Sequence, residues 1–126
     1  MDEWITWSHF VPREQLLEMQ SSAHAFVYPT MHDSSSSALP EAYSTGLPSV
    51  TLGIGGIATA GGHGTGMNEY FPNAEQWINQ AAAHISSWVK NPESWLFACQ
   101  DSVERSLYFN PSRLETIVHK KIALFF

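Results

Sequence analysis

The sequence predicts an α/β fold in which a parallel sheet is flanked by helices. The apolar run at residues 25–28 has the length of a buried strand, and Pro29 closes it. The β-prone run at residues 4–7 and the segment at residues 49–52 are two further strand candidates. Segments with helical spacing stand between and after these runs. Short buried strands that alternate with helices indicate a parallel sheet.

Two short helices are predicted in the first half of the chain. Pro12 precedes residues 13–19, and proline suits a first helical turn because its missing N–H would be unpaired there anyway. Residues 39–45 can form a second helix. Gly46 would close it in the left-handed conformation, and Pro48 would prevent its continuation.

Three longer helices are predicted in the second half. Asn91-Pro92 and Asn110-Pro111 each combine an N-cap residue with proline at the first helical position. Apolar residues at helical spacing mark the buried faces. These faces are Ile78, Ala81, Ala82, Ile85, Trp88 and Val89 in the first helix, Leu96, Cys99, Val103 and Leu107 in the second, and Leu114, Ile117, Val118 and Ile122 in the third.

Composition places the chain among soluble globular proteins. Its 126 residues suit one domain, residues 1–126, and five tryptophans and seven phenylalanines imply a real core. The net charge of -6 argues against nucleic acid and anionic membrane surfaces as partners. The single cysteine, Cys99, fits a reducing compartment. With no signal peptide and no apolar run that could span a bilayer, we expect a cytoplasmic protein without an integral membrane segment.

Two acidic residues mark the most informative segment of the sequence. Asp33 follows the strand at residues 25–28, and Glu41 stands at the start of the next helix. A carboxylate accepts two hydrogen bonds at once, so it can hold neighbouring hydroxyls of a ribose or hexose. The helix dipole would favour ionised Glu41, and backbone N–H groups at the helix start could hold a phosphate. Ligands of parallel sheets bind beyond the carboxyl ends of the strands, where loops 32–38 and 53–66 lie.

This segment resembles family 4 of the retaining GT-B glycosyltransferases. That family carries an acid, seven intervening residues, a second acid, a small-residue helix and a Gly-x-Pro-x-Val turn. The chain has Asp33, seven residues, Glu41-Ala42, and then Gly-Leu-Pro-Ser-Val at 46–50. Residues 10–14, the strand around 23–29 and the later double glycine also fit. The resemblance covers most of the chain and is most specific between residues 5 and 66.

The resemblance implies a partial Rossmann-like, three-layer sheet, the carboxyl-terminal half of a GT-B fold. Its ligand would be the nucleotide-diphosphate sugar donor of a hexosyltransferase, with no metal and no other cofactor. Of the two catalytic-site acids, Asp33 would contact the donor sugar and Glu41 would hold the ribose. The other donor-binding residues implied are Ser36, Ser37, Ala38 and Leu39, whose backbone would face the diphosphate, and Gly55 and Gly56, which would lie close to the sugar.

The chain also departs from the family pattern. Members carry an Arg and a Lys that neutralise the leaving diphosphate, and nothing here substitutes for them because Arg13 falls on another helix. The two strand–helix units that carry them and the amino-terminal acceptor domain are both missing. We therefore expect no sugar transfer by this chain alone. Unpaired strand edges would favour association with the missing domain or with a second copy of the chain.

Other interpretations of the same residues stay open. Asp33 and Glu41 could serve only as a loop acid and a helix-start acid. His32 and His63 could bind a metal with Asp33. The Gly-x-Gly-x-x-Ala pattern at 53–58 imitates a dinucleotide-binding turn, although the acid at the required distance, Glu75, opens a helix. The alternative of a different class is a non-catalytic interaction module that self-associates through exposed strand edges.

Overall fold

The structure, a computed structural model, describes residues 3–32, 37–62 and 64–124 of the chain. It is a mixed α/β fold with a three-stranded parallel sheet flanked by helices, as the sequence predicts. The strands lie in the order β1-β2-β3, and both neighbouring pairs are parallel. The elements are α1 (Arg13–Ser22), β1 (Phe26–Tyr28), α2 (Ala38–Ser44), β2 (Ser49–Leu52), α3 (Gly55–Ala60), β3 (Gly66–Glu69), α4 (Ala74–Lys90), α5 (Pro92–Tyr108) and α6 (Pro111–Ala123).

Helices cover both faces of the sheet, and the strand register decides which side chains meet them. Val50 stands opposite Val27 on one side and Met67 on the other, so these three residues share a face. Val50 and Met67 pack against Trp77 and Trp88 of α4. The opposite face carries Phe26 and Tyr28, which pack against Leu39 and Tyr43 of α2 and Ile57 of α3.

Helix α5 crosses the end of the sheet at which the strands begin. Near its start, the Trp95 indole N–H donates to the His24 carbonyl, 2.8 Å away and just ahead of β1. Its middle packs against α2, and Val103 lines a shallow surface together with Gly46, which precedes β2. Near its end, Arg105 donates to the carbonyls of Thr59 and Ala60, at the end of α3. Ligands of parallel α/β sheets bind at the other end, where the strands finish.

Two expectations about the first half of the chain are wrong. Residues 4–7 form no strand, because a β-prone segment becomes one only when a neighbouring strand pairs with it. Residues 53–66 are not a single loop, since they contain α3 and lead into β3. The sequence analysis missed β3 because Gly-Met-Asn-Glu has neither a β-branched residue nor an uninterrupted apolar run.

The late helices are where the sequence predicts them, but their apolar faces are less buried than expected. In α4 the buried residues are Trp77, Ala81 and Trp88, whereas Ile78 and Val89 are more than half exposed. The apolar face of α5 is mostly exposed, and its buried residues are Ala98 and Ser102. No residue of α6 is buried. Among the residues described, no helix is both long and apolar enough to cross a membrane.

Side-chain caps fix where the three long helices begin. Asn91 and Asn110 accept hydrogen bonds from the backbone N–H groups of Ser94 and Ser112, and proline follows each asparagine. Both predicted N-caps are thus confirmed. Helix α4 has a third cap, Asn73, whose side-chain oxygen accepts from Glu75 N at 2.8 Å and Gln76 N at 3.3 Å.

We expect Asn73→Ala to lower the free energy of unfolding by about 1 kcal/mol, because two N–H groups of the first turn of α4 lose their acceptor. Urea unfolding followed by circular dichroism measures this change. Asn79→Ala, the same substitution at an exposed position inside α4, is the control. It should be neutral or slightly stabilising, since alanine is the better helix former. Equal losses in both variants would contradict a capping role for Asn73.

Candidate functional site

The candidate site lies at the end of the sheet where β1 and β2 finish. These strands are adjacent and parallel, and Tyr28 pairs with Thr51 at this end. The segment after β1 leads to α2, which carries Glu41. The segment after β2 leads within two residues to Gly55, the first residue of α3. The fold therefore brings the start of α2 and the turn from β2 into α3 to one edge, as expected for a parallel sheet.

Helix α2 holds Glu41 at the border between core and solvent. Leu39, Ala42 and Tyr43 are fully buried, so the helix has one fixed orientation. Glu41 lies in the first turn, and its side chain is 29% exposed. One of its carboxylate oxygens, Oε1, is 3.6 Å from Nη2 of Arg13 on α1. Arg13, which the sequence analysis set aside because it falls on another helix, thus places a positive charge beside the predicted ribose-binding acid.

The double glycine after β2 opens a helix and is not part of a loop. Gly55 has a φ of +55°, in the left-handed region that favours glycine, and is the first residue of α3. Gly56 follows in the first turn of that helix. Because the chain turns sharply between β2 and α3, the backbone at Gly55 is exposed at the same edge as Glu41. The role of Gly55 and Gly56 beside the donor sugar stays a prediction.

The remaining predicted donor-binding residues are only partly described. Asp33 and Ser36 lie outside the described residues, so the convergence of Asp33 with Glu41 stays a prediction. Ser37 is exposed at the N-cap position of α2, and Ala38 is the first residue of that helix. The side chain of Leu39 is fully buried. Only backbone groups of Leu39 could therefore face a diphosphate, as the resemblance implies.

A buried polar cluster, which the sequence analysis missed, joins α2 to the sheet. The hydroxyl oxygens of Tyr43 and Ser49 are 2.8 Å apart, and that of Thr65 lies 3.3 Å from the Tyr43 oxygen. Asn68 donates to the Thr65 hydroxyl at 3.2 Å and accepts from the hydroxyl of Thr51. Polar residues at alternate positions of a buried strand, Ser49 and Thr51, were the signal for it. The cluster fixes α2, and hence Glu41, relative to β2 and β3.

Two concave surfaces of about 310 Å³ each lie away from this edge. One is apolar and sits near the start of β1, where His24 and Ala25 meet the ends of α4 and α5. The other is polar and lies beside Arg105 and Asn68, next to the end of α3. Neither is lined by Glu41 or Gly55.

Burial shifts the pKa values of two titratable side chains, His84 and Cys99. Desolvation lowers the pKa of His84, and the negative charge of Glu69 opposes this shift only in part. Because the folded-state pKa is the lower one, the contribution of neutral His84 to stability is present above its unfolded pKa and is lost as the pH falls. Burial raises the pKa of the Cys99 thiol, which disfavours the reactive thiolate.

The metal site considered from the sequence involves His32, Asp33 and His63. Within residues 3–32, 37–62 and 64–124, no group of three or more His, Cys, Asp or Glu side chains could hold a metal ion. His63 and Asp33, two of the three ligands considered from the sequence, lie outside those ranges.

The dinucleotide-type pattern at 53–58 falls on the turn from β2 into α3, and Glu75 lies in the first turn of α4.

The fold defines the class of the chain as a mixed α/β protein with a parallel three-stranded sheet flanked by helices. No protein-family model, curated protein or solved structure matches it. Its function is therefore argued from the residues at the candidate site.

Proposed function

We propose that this chain binds the nucleotide-diphosphate sugar donor of a retaining glycosyltransferase, as the carboxyl-terminal, partial Rossmann-like part of a GT-B fold. One observation carries the proposal. Helix α2, with half-buried Glu41 in its first turn, and the Gly55 turn follow two adjacent parallel strands at the same edge. This edge is where ligands of parallel α/β sheets bind, and its residue types suit a ribose and a sugar.

Arg13 extends the proposed site. Its guanidinium is mostly exposed, and such an ion pair with Glu41 contributes at most about 1 kcal/mol. A ribose can therefore displace it at little cost, leaving Glu41 to accept hydrogen bonds from both hydroxyls. The freed Arg13 would still lie near the diphosphate. It would supply one positive charge where the glycosyltransferase pattern has an Arg and a Lys.

Nucleotide binding tests the proposal directly. We expect one of UDP, GDP and ADP to raise the melting temperature, because a ligand that binds only the folded state stabilises it by mass action. Glu41→Ala should weaken the binding of that nucleotide about tenfold or more, since charged hydrogen bonds contribute about 1.5–3 kcal/mol each. Titration calorimetry measures the change in Kd.

Arg13→Ala is the matched control, because both variants break the same ion pair while only Glu41→Ala removes the proposed ribose contact. Arg13→Ala should retain most of the nucleoside affinity and lose affinity mainly for the diphosphate. Comparing the affinity for UDP with that for uridine, or for the matching pair with another base, separates the contribution of the diphosphate from that of the nucleoside. Equal effects of both substitutions on nucleoside binding, or no nucleotide binding by the original chain, would refute the donor-site proposal.

A second candidate function is an interaction module that associates through a strand edge. It is favoured by the outer edge of β1, which has no strand partner among the residues described. A flat response to all three nucleotides, together with a stable oligomer, would favour this candidate over donor binding.

A further inference from the structure

The apolar face of α4 is wider than the sheet beneath it. Trp77 and Trp88 pack on the sheet, and the Trp77 indole N–H donates to the Thr51 carbonyl at 3.2 Å. Farther round the same helix, Ile78 and Val89 are exposed, and Ile85 is only partly buried. Helices of α/β proteins bury such faces against strands. The exposed part of α4 therefore has the width for one more strand.

This exposed part faces the β1 side of the sheet. Ile85 and Val89 line the apolar pocket together with His24 and Ala25, which come directly before β1. Val27 lies on the same face of the sheet as Val50 and Met67, but it is 48% exposed whereas they are buried. The pocket at Ala25, Ile85 and Val89 and the exposed side chain of Val27, two residues farther along the chain, together give the outer edge of β1 an apolar surface, called the groove below.

The outer edge of β1 can accept a strand. Phe26 N donates to the Pro48 carbonyl, so Phe26 directs its backbone groups towards β2. Successive residues of a strand direct these groups to opposite sides, so the N–H and C=O of Val27 point towards the outer edge. An edge of this kind is a template for strand addition, and Val27 offers it an apolar side chain as well.

The segment that could fill this groove lies in the same chain. Residues 4–7, Trp-Ile-Thr-Trp, have a high β propensity, and the backbone from residue 5 to residue 8 is neither helix nor turn. Trp4 is 93% exposed, and Ile5 and Trp7 are also mostly exposed. In its own molecule this segment does not pair with β1. It is therefore available to a second molecule.

We propose that two copies of this chain exchange strands: residues 4–7 of each copy add to the outer edge of β1 in the other. In a strand, Ile5 and Trp7 share one face. Both can then enter the groove beneath Ile85 and Val89. The exchange is reciprocal, which closes the assembly as a two-fold dimer with no free strand edge at β1. The proposal names the strand and its acceptor for the association described above and is independent of nucleotide binding.

The surface area that the two exchanged strands would bury is sufficient for a dimer. A tryptophan side chain buries about 150–250 Å², so Trp7 and Ile5 together bury about 300–400 Å² of each donated segment. The groove buries a similar area, and two such sites together reach about 1,200–1,600 Å². A specific interface needs about 1,200–2,000 Å².

The mass in solution, measured by light scattering over a concentration series, tests the proposal. The original chain should be a dimer. Val27→Lys removes the acceptor, and the double substitution Trp4→Ser with Trp7→Ser removes the donor, so each variant alone should be monomeric. Val118→Lys is the matched control, because Val118 on α6 is 51% exposed, close to the value for Val27. This control should remain a dimer.

Mixing the two disrupted variants gives the decisive result. Val27→Lys still donates a strand and the double tryptophan variant still accepts one, so the mixture should form a heterodimer through one exchanged strand. This heterodimer buries about half the area of the original dimer, so it should be weaker and should form at correspondingly higher protein concentrations. A monomeric original chain, a dimer that survives the tryptophan substitutions, or a mixture that stays monomeric would each overturn the proposal. If Val27→Lys fails to fold, as circular dichroism would show, the tryptophan variant decides alone, because its substitutions lie outside the core.

Discussion

Gly66→Ala is expected to destabilise the protein by at least about 3 kcal/mol, a large fraction of the free energy of unfolding of a small domain. Gly66 has a φ of +132°, a conformation that is essentially confined to glycine. A Cβ atom at this position would overlap the carbonyl oxygen of Ser49, its partner in β2. Ser49 is fully buried and bonded to Tyr43, so it has no room to move away.

Gly46→Ala separates backbone strain from steric overlap. Gly46 also has a positive φ, +74°, but a Cβ there would meet Val103 at 3.5 Å, an ordinary contact. This variant should lose only about 1–2 kcal/mol, the cost of the left-handed conformation. Thermal and urea unfolding of both variants gives the comparison. Equal losses would show that the overlap with Ser49 is relieved, and that the start of β3 is more adaptable than its burial indicates.

Trp77→Ala is expected to lower the free energy of unfolding by about 3–5 kcal/mol. The Trp77 side chain is 7% exposed and lies in the core between α4 and the sheet, beside Val50 and Met67. Its loss leaves a cavity and removes the hydrogen bond to the Thr51 carbonyl. Urea unfolding measures the loss, and Trp77→Phe, which keeps most of the volume, should recover much of it.

Trp4→Ala provides the control for the same substitution outside the core. Trp4 is almost fully exposed, so its removal should change the free energy of unfolding of dilute, monomeric protein by less than about 0.5 kcal/mol. The proposed strand exchange adds a sharper expectation. At concentrations where the dimer forms, Trp7→Ala should reduce the apparent stability, because Trp7 enters the groove and dimerisation stabilises the folded chain by mass action. A large loss in the monomer would contradict the exposed position of Trp4.

The sequence predicted those parts of the fold that depend on local signals. The caps at Asn91 and Asn110, the left-handed turn at Gly46 and the strands β1 and β2 follow from side-chain chemistry close to each position. The prediction that residues 25–28 form a buried strand is wrong, because β1 is an edge strand without a buried residue. The strand expected at residues 4–7 does not form, because strand formation depends on a neighbouring strand that the local sequence does not supply. Strand β3 was missed because pairing with β2, rather than its own composition, makes it a strand.

Some features of the candidate site could be predicted from the sequence and others could not. Its location at the edge where β1 and β2 finish could be predicted, because parallel strands end together. The contact between Arg13 and Glu41 could not, since it depends on how α1 packs against α2. The cluster of Tyr43, Ser49 and Thr65 was equally hidden, because the sequence does not show which hydroxyls share a buried space. The exposed side of α4 looked like ordinary core for the same reason.

Helix α5 separates two tasks of the molecule. It braces all three layers at the end where the strands start, through Trp95, Val103 and Arg105. Among the described residues, Glu41 and Gly55 at the opposite end take no part in this brace. A substitution of Glu41 should therefore change binding at little cost to folding.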